Sequence, residues 1–128
     1  MARQLVVDAS VLLAVVLGEA GGRAAESRLA GSAMSAVNLA EVLSQLAQRG
    51  LAAADLAVLI QRLDVEVVPA DLPQAVRAAG LHAATRAHGL ALADCFCLAL
   101  AQQRDAEVLT ADRNWTKVNA GVTITAIR

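Results

Sequence analysis

Four carboxylates stand out by where they fall in the sequence. Asp8 closes the apolar run Leu5-Val6-Val7 and precedes a helical stretch that begins near Ser10. Asp112 follows Val108-Leu109-Thr110 in the same manner. Each therefore sits at the carboxyl end of a strand, the edge of an open parallel sheet where ligands bind beside helix amino termini. Glu41 lies in the second turn of a helix opened by Ser35 or Ala36, and Asp94 is the one charge in the mostly apolar segment from Leu90 to Ala101. Each residue also has a plain structural account. Asp8 and Asp94 can cap helices, Asp112 can belong to a polar turn, and Glu41 can face water in the stripe Asn38, Glu41, Gln45 and Gln48.

Joint geometry is what points to chemistry, because strand ends and helix starts can share one edge of a parallel sheet. Two unit charges about 4 Å apart repel by roughly 4 kcal/mol at an effective dielectric of ~20. A hard divalent cation removes that penalty, and oxygen donors without Cys or His select Mg²⁺ or Mn²⁺ over zinc. Ser10, Asn38 and Thr110 are uncharged oxygen donors placed to orient carboxylates or bound waters.

The elements that must position these groups follow from alternating patterns. Short runs at Gln4 to Val7, Val65 to Val68, Glu107 to Thr110 and Val122 to Thr125, rich in β-branched residues, read as strands, as does Ala33 to Ser35, which carries the pattern least. Between them, Leu39, Val42, Leu43 and Leu46, and then Leu56, Leu59, Ile60 and Leu63, recur at helical spacing. Gly50 follows the first of these helices. Asp71 caps a helix with Pro73 in its first turn, and Gly89 is expected to end it. The segment from Leu90 to Ala101 should be a helix buried on most of its circumference. Strand alternating with helix signals parallel α/β structure.

Composition narrows the classes further. The chain of 128 residues is of a size for one domain over 1–128, and 57% hydrophobic residues with 18% charged ones exclude disorder. A net charge of -1 lacks the broad basic footprint of a protein that grips nucleic acid through phosphate charge alone. Phe96 and Trp115 are the whole aromatic complement, too few for a base-stacking platform. Cys95 and Cys97 point about 200° apart on a helix, so they neither bridge nor share a metal and suit a reducing cytosol. His82 and His88 fall on different helix faces and do not make a zinc pair. Asp8 interrupts what might otherwise be read as an export signal, and no apolar run approaches the ~20 residues needed to span a bilayer. A soluble cytoplasmic protein, not a membrane one, is expected.

The opening Val6-Val7-Asp8-Ala9-Ser10, the segment Asn38-Leu39-Ala40-Glu41-Val42, Leu92-Ala93-Asp94 leading an apolar helix, and Thr110-Ala111-Asp112-Arg113-Asn114-Trp115 occur in this order. Taken together they resemble a PIN-domain protein, and most of all the VapC-type toxins of toxin–antitoxin pairs, over almost the whole chain. The resemblance implies a three-layer α/β/α fold around a central, mainly parallel five-stranded sheet and the activity of a metal-dependent endoribonuclease. Asp8, Glu41, Asp94 and Asp112 take the places of the family's acidic residues, and Ser10 and Thr110 those of its supporting hydroxyls. Asn114 stands where many relatives carry a further acid, so one tightly held Mg²⁺ or Mn²⁺ is expected rather than two. Asp8, Asp94 and Asp112 would hold or position that cation, while Glu41 would either ligate it or orient the attacking water. The products would carry a 5′-phosphate and a 3′-hydroxyl. Arg86, Arg104, Arg113 and Lys117 are candidates for contacts with RNA phosphates. The implied partners are a small antitoxin, with a segment that occupies the groove, and a second copy of the chain in a homodimer.

Two other classes compete. A strand-terminal Asp8 also suits an aspartyl-phosphate phosphotransfer domain, although the acidic pair of a receiver and the second Asp of a dehalogenase-like phosphatase are missing, the latter place being held by Ser10. A non-catalytic binding module on the same fold is the other, against which four intact acids argue.

Overall fold

Val6 and Val7 are adjacent in sequence and both fully buried, yet they belong to opposite cores. Ala33 and Met34, and Val108 and Leu109, divide in the same way. Alternate side chains of a strand point to opposite faces, so paired apolar residues demand that both faces of the sheet be covered. The computed structural model, which describes residues 3–128, meets that demand with three layers.

In chain order the elements are β1 (Leu5–Val7), α1 (Ala9–Leu17), α2 (Gly22–Glu26), β2 (Ala33–Ser35), α3 (Ala36–Gln48), α4 (Ala53–Leu63), β3 (Glu66–Val68), α5 (Leu72–Thr85), α6 (Leu92–Arg104), β4 (Glu107–Thr110) and β5 (Ile124–Ala126). Two 3₁₀ turns, Arg86–His88 and Arg113–Lys117, flank α6 and β4. The five strands run in the order β3-β2-β1-β4-β5, and every neighbouring pair is parallel. One core joins β1, β2 and β4 to α1, α3 and α4 through Leu12, Met34, Val42, Leu46 and Leu56. The other places Leu98, Leu100 and Trp115 against the opposite face. Among the described residues no helix is long and apolar enough to cross a membrane.

Parallel strands present all their carboxyl ends at one edge. Asp8 lies between β1 and α1, Ser35 passes directly from β2 into α3, and β4 ends at Thr110. Helix α6 returns to the start of β4, so its amino terminus belongs to this same edge and its last residue, Arg104, to the opposite one. As anticipated, α6 is buried on most of its surface, from Cys95 and then Cys97 to Ala101.

Besides one-residue shifts at the starts of β1 and β3, three details differ from the sequence expectation. The last strand begins at Ile124 rather than Val122, because its register is set by pairing with β4, Ile124 opposite Val108 and Ala126 opposite Thr110. The helix capped by Asp71 stops at Thr85, whose hydroxyl donates to the carbonyl of Leu81 at 2.8 Å. Such back-bonding competes with helix propagation, and the chain passes through the 3₁₀ turn before Gly89, at φ +80, reverses it. The short helix α2 has no counterpart in the sequence reading. It exists where Gly22 lets α2 approach α1, since a Cβ at that position would stand 2.3 Å from the carbonyl oxygen of Ala14.

That contact is testable against an open glycine in the same protein. Gly22→Ala forces two backbones apart and is expected to cost about 1–3 kcal/mol in urea denaturation. Gly80→Ala in α5, where nothing lies within 4 Å of the added carbon, should instead stabilise by up to about 1 kcal/mol. Equal effects of the two substitutions would exclude the close approach as the reason for Gly22.

Candidate active site

Asp8 is 4% exposed and has three hydrogen-bond donors around its carboxylate. The Ser10 hydroxyl donates to Oδ1 at 2.6 Å, the Val11 backbone N–H donates to the same oxygen at 3.1 Å, and the Thr110 hydroxyl donates to Oδ2 at 2.7 Å. The cap reading and the site reading of Asp8 are therefore compatible: one oxygen caps α1 while the side chain remains at the sheet edge. The hydroxyls are fixed in turn, Ser10 Oγ accepting from Ala111 N–H at 2.9 Å and Thr110 Oγ1 from Asp112 N–H at 3.1 Å. Adjacent strands β1 and β4 thus position Asp8 and the chain leading into Asp112 through one set of bonds.

Glu41 and Asp94 come from the helices α3 and α6. The amide of Asn38, itself 1% exposed, donates to Glu41 Oε1 at 3.1 Å and to the carbonyl oxygen of Ala93 at 2.9 Å. One side chain therefore holds the Glu41 carboxylate and the peptide beside Asp94. Asp94 accepts from the Ala91 N–H at 2.8 Å, which caps α6 from its third residue. Asp112 is exposed, accepts from Asn114 N–H at 2.9 Å and opens the second 3₁₀ turn.

The four carboxylates line one cleft of about 170 Å³ together with Ser10, Leu13, Gln45 and Trp115. Burial pushes the Asp8 carboxyl from its ordinary 3.8 up to about 6; its hydrogen bonds oppose that rise and the charge of Asp94 adds to it. Asp94 is also raised, first by burial and then by repulsion from Glu41 and Asp112, against the bond from Ala91. Below them Cys97 is fully buried, and burial followed by the charges of Asp8, Asp94 and Glu41 drives its thiol well above its usual range. It does not line the cleft, whose charged donors are all carboxylate oxygens.

Such a donor set fits a hard divalent cation rather than zinc. The Oδ1 of Asn38 adds a buried polar atom with no hydrogen-bond partner. Among the described residues, no three His, Cys, Asp or Glu side chains stand close enough together to hold an ion without moving.

The remaining candidates divide. Asn38 and Thr110 act from behind the cleft. Asn114 does not line it, and its amide donates instead to the carbonyl oxygen of His88, joining the two 3₁₀ turns. Arg86, Arg113 and Lys117 are exposed on those turns. Arg104 lies elsewhere: it pairs with Glu66 at 2.7 Å and reaches Gln4 at 3.3 Å, both at strand starts on the opposite sheet edge. Its place among phosphate contacts is not supported by this position. His82 and His88 are also outside the cleft lining. The stripe on α3 splits, with Asn38 buried and Glu41 half-buried while Gln48 stays in water. Gln45 and Trp115 line the cleft without having been singled out. The signal for Gln45 was its spacing of one helical turn from Glu41.

The PIN domain family matches residues 5–121, and the chain belongs to that family. No curated protein matches it in sequence. Solved structures of similar fold include a toxin–antitoxin complex from Klebsiella pneumoniae, at a TM-score of 0.74 and 18% identity with 98% of each chain covered. FitAcB from Neisseria gonorrhoeae aligns at 0.71 and 23% identity over 97% of this chain and 98% of that one. DNA-bound VapBC from Salmonella typhimurium aligns at 0.72 and 17% identity over 100% of both.

The raised pKa of Asp8 has a definite sign. Between pH 3.8 and about 6 the folded protein keeps a proton that the unfolded chain has released, so stability in chelator should fall as pH rises through that window. The Asp8 contribution is on the order of 3 kcal/mol. Urea titrations of wild type and Asp8→Asn across this range should differ by that slope. Parallel curves would show that Asp8 is not the buried acid responsible.

Proposed function

We propose that this chain is the toxin of a type II toxin–antitoxin pair and acts as a Mg²⁺- or Mn²⁺-dependent endoribonuclease. The observation that carries the reading is the arrival of four carboxylates from four separate parts of the chain in one cleft at the carboxyl edge of the sheet. A hard dication bound there supplies positive charge that polarises a scissile phosphate and makes water more acidic. Asp8, Asp94 and Asp112 are the residues to hold it, directly or through water. Glu41, steadied by Asn38, either joins them or orients the attacking water and accepts its proton. Leu13 and Trp115 give the cleft apolar walls, which strengthen electrostatic interactions inside it. No protein nucleophile is needed.

The aspartyl-phosphate alternative loses support from the geometry. The place where a dehalogenase-like phosphatase needs its second Asp is held by Ser10, which instead donates its hydroxyl to Asp8 Oδ1.

The partners in this reading are RNA, a small antitoxin and a second copy of the chain, and its place of action is the cytoplasm, where the buried thiols Cys95 and Cys97 stay reduced. Toxin–antitoxin complexes among the structures of similar fold support the antitoxin. An apolar groove of about 560 Å³ between α3 and α4, bounded by Leu39, Leu43, Ala47, Leu56 and Ile60, offers surface to a protein partner.

The decisive experiment is RNA cleavage by purified chain with Mg²⁺ or Mn²⁺, against chelator, for wild type, Asp8→Asn and Asp94→Asn. Asn at position 94 retains an oxygen for the Ala91 N–H, so the helix cap survives while the charge is lost. Cleavage should require the cation and fall by more than ~10²-fold in either variant, the scale of removing one electrostatic partner of a transition state. Cation should also raise the melting temperature of wild type more than that of Asp94→Asn. Cleavage that persists in chelator, or in both variants, would reject the mechanism; a cellular phenotype untouched by Asp94→Asn would favour a non-catalytic binding module.

A further inference from the structure

An acidic cleft repels the polyanion it is meant to cut, so a ribonuclease built on it must hold RNA with cations placed nearby. Of the eleven Lys and Arg side chains, Arg3, Arg28, Arg104 and Arg128 are engaged in ion pairs. Among the others, Arg49 follows the end of α3 and Arg62 lies in the last turn of α4, both at the edge remote from the cleft. Arg23 belongs to α2, none of whose residues line the cleft, and Arg77 on α5 donates to Gln102. Arg86, Arg113 and Lys117 differ from these because all three are exposed residues of the two 3₁₀ turns and are free of ion pairs among the described residues, Arg113 donating from Nε to the Arg128 carbonyl oxygen at 3.3 Å.

The turns are not independent. The second starts immediately after Asp112, and its Trp115 lines the cleft, so the turn forms part of the cleft's edge. The first is brought against it by the bond from the Asn114 amide to the His88 carbonyl. Gly89, next to that carbonyl, has the Asn114 amide nitrogen as its neighbour across the gap. An acid at position 114 would have no N–H to donate and would set a negative charge against a carbonyl oxygen. Asn therefore performs here a joining role that a carboxylate cannot.

Resting on the ribonuclease reading, we infer that the two 3₁₀ turns form a single basic rim that holds RNA backbone phosphates next to the cleft through Arg86, Arg113 and Lys117. Asn114 is the positioning residue that fixes the spacing of the two turns. The rim needs no cation in the cleft, so it binds RNA when the chemistry is switched off. Nucleobases play no part, which makes the contact independent of sequence.

The test is binding of a fluorescein-labelled oligouridylate to the full chain in chelator, followed by anisotropy between ~50 and ~200 mM salt. Three phosphate contacts to a single strand give a log–log salt slope near about -2, each cation contributing ~0.7. Arg86→Ala, Arg113→Ala and Lys117→Ala should each remove about one such step, whereas Arg62→Ala should remove none. Asn114→Asp should weaken binding at low salt with the three cations intact, and Asn114→Gln should recover part of the loss by restoring the donor. These substitutions are on the surface, and melting curves matching wild type establish that the variants are folded. In cleavage assays with Mn²⁺ the cation variants should raise KM more than they lower kcat. If wild type cleaves RNA but the three variants bind with the same slope as Arg62→Ala, the rim is wrong and the nuclease reading stands. If wild type neither binds nor cleaves RNA, both are wrong.

Discussion

The structure turns on keeping the carboxylate of Asp8 inside the protein. Removing a charge from water is costly unless hydrogen bonds replace the lost solvation, and here the replacements come from Ser10, Val11 and Thr110. Thr110 belongs to the neighbouring strand, so the arrangement requires β1 and β4 to be parallel neighbours in one particular register, Val7 opposite Leu109. A slip of one residue would turn Thr110 to the wrong face and leave Asp8 Oδ2 without its donor. The register of the two central strands and the position of the most buried acid are therefore a single constraint. The donors do not offset burial in full, which is why the carboxyl stays well above its ordinary pKa. Stability is given up at the cleft to which the proposed chemistry is assigned, a common pattern at functional sites.

The helices contribute a second constraint of a different kind. Both N–H groups of the Asn38 amide are used, one on Glu41 and one on Ala93, and its oxygen is left buried without a partner. An apolar residue would avoid the orphaned oxygen but would release Glu41 and the start of α6 together. Asn38 thus fixes across two helices what the strand register fixes across two strands. The cleft is held on both sides by hydrogen bonds that do not themselves face it.

Much of this was legible from local pattern. Consecutive apolar residues marked β1, β2 and β4 because a sheet covered on both faces needs apolar side chains at neighbouring positions. The acids were legible because each followed a strand or lay in the first two turns of a helix, and parallel topology converts that local fact into a common edge. What local pattern could not reveal was any interaction between distant segments. Nothing in Asn38, Glu41, Gln45 and Gln48 distinguishes the members of the stripe that α6 will cover from those left in water. Nor does the sequence separate Arg104 from Arg113: both follow apolar stretches, yet one ends a helix at the far edge beside Glu66 and the other starts a turn beside the cleft. The start of β5 and the existence of α2 were hidden for the same reason, one being set by a neighbouring strand and the other by contact with α1.

Cys97 shows what the acids do to their surroundings. Oxidants and alkylating reagents attack the thiolate, not the thiol. Burial first, and then the nearby carboxylates, keep this sulfur protonated, and the packing around it bars access. A cell under peroxide stress would oxidise exposed thiols elsewhere long before this one, and the packing beneath the cleft would be left intact.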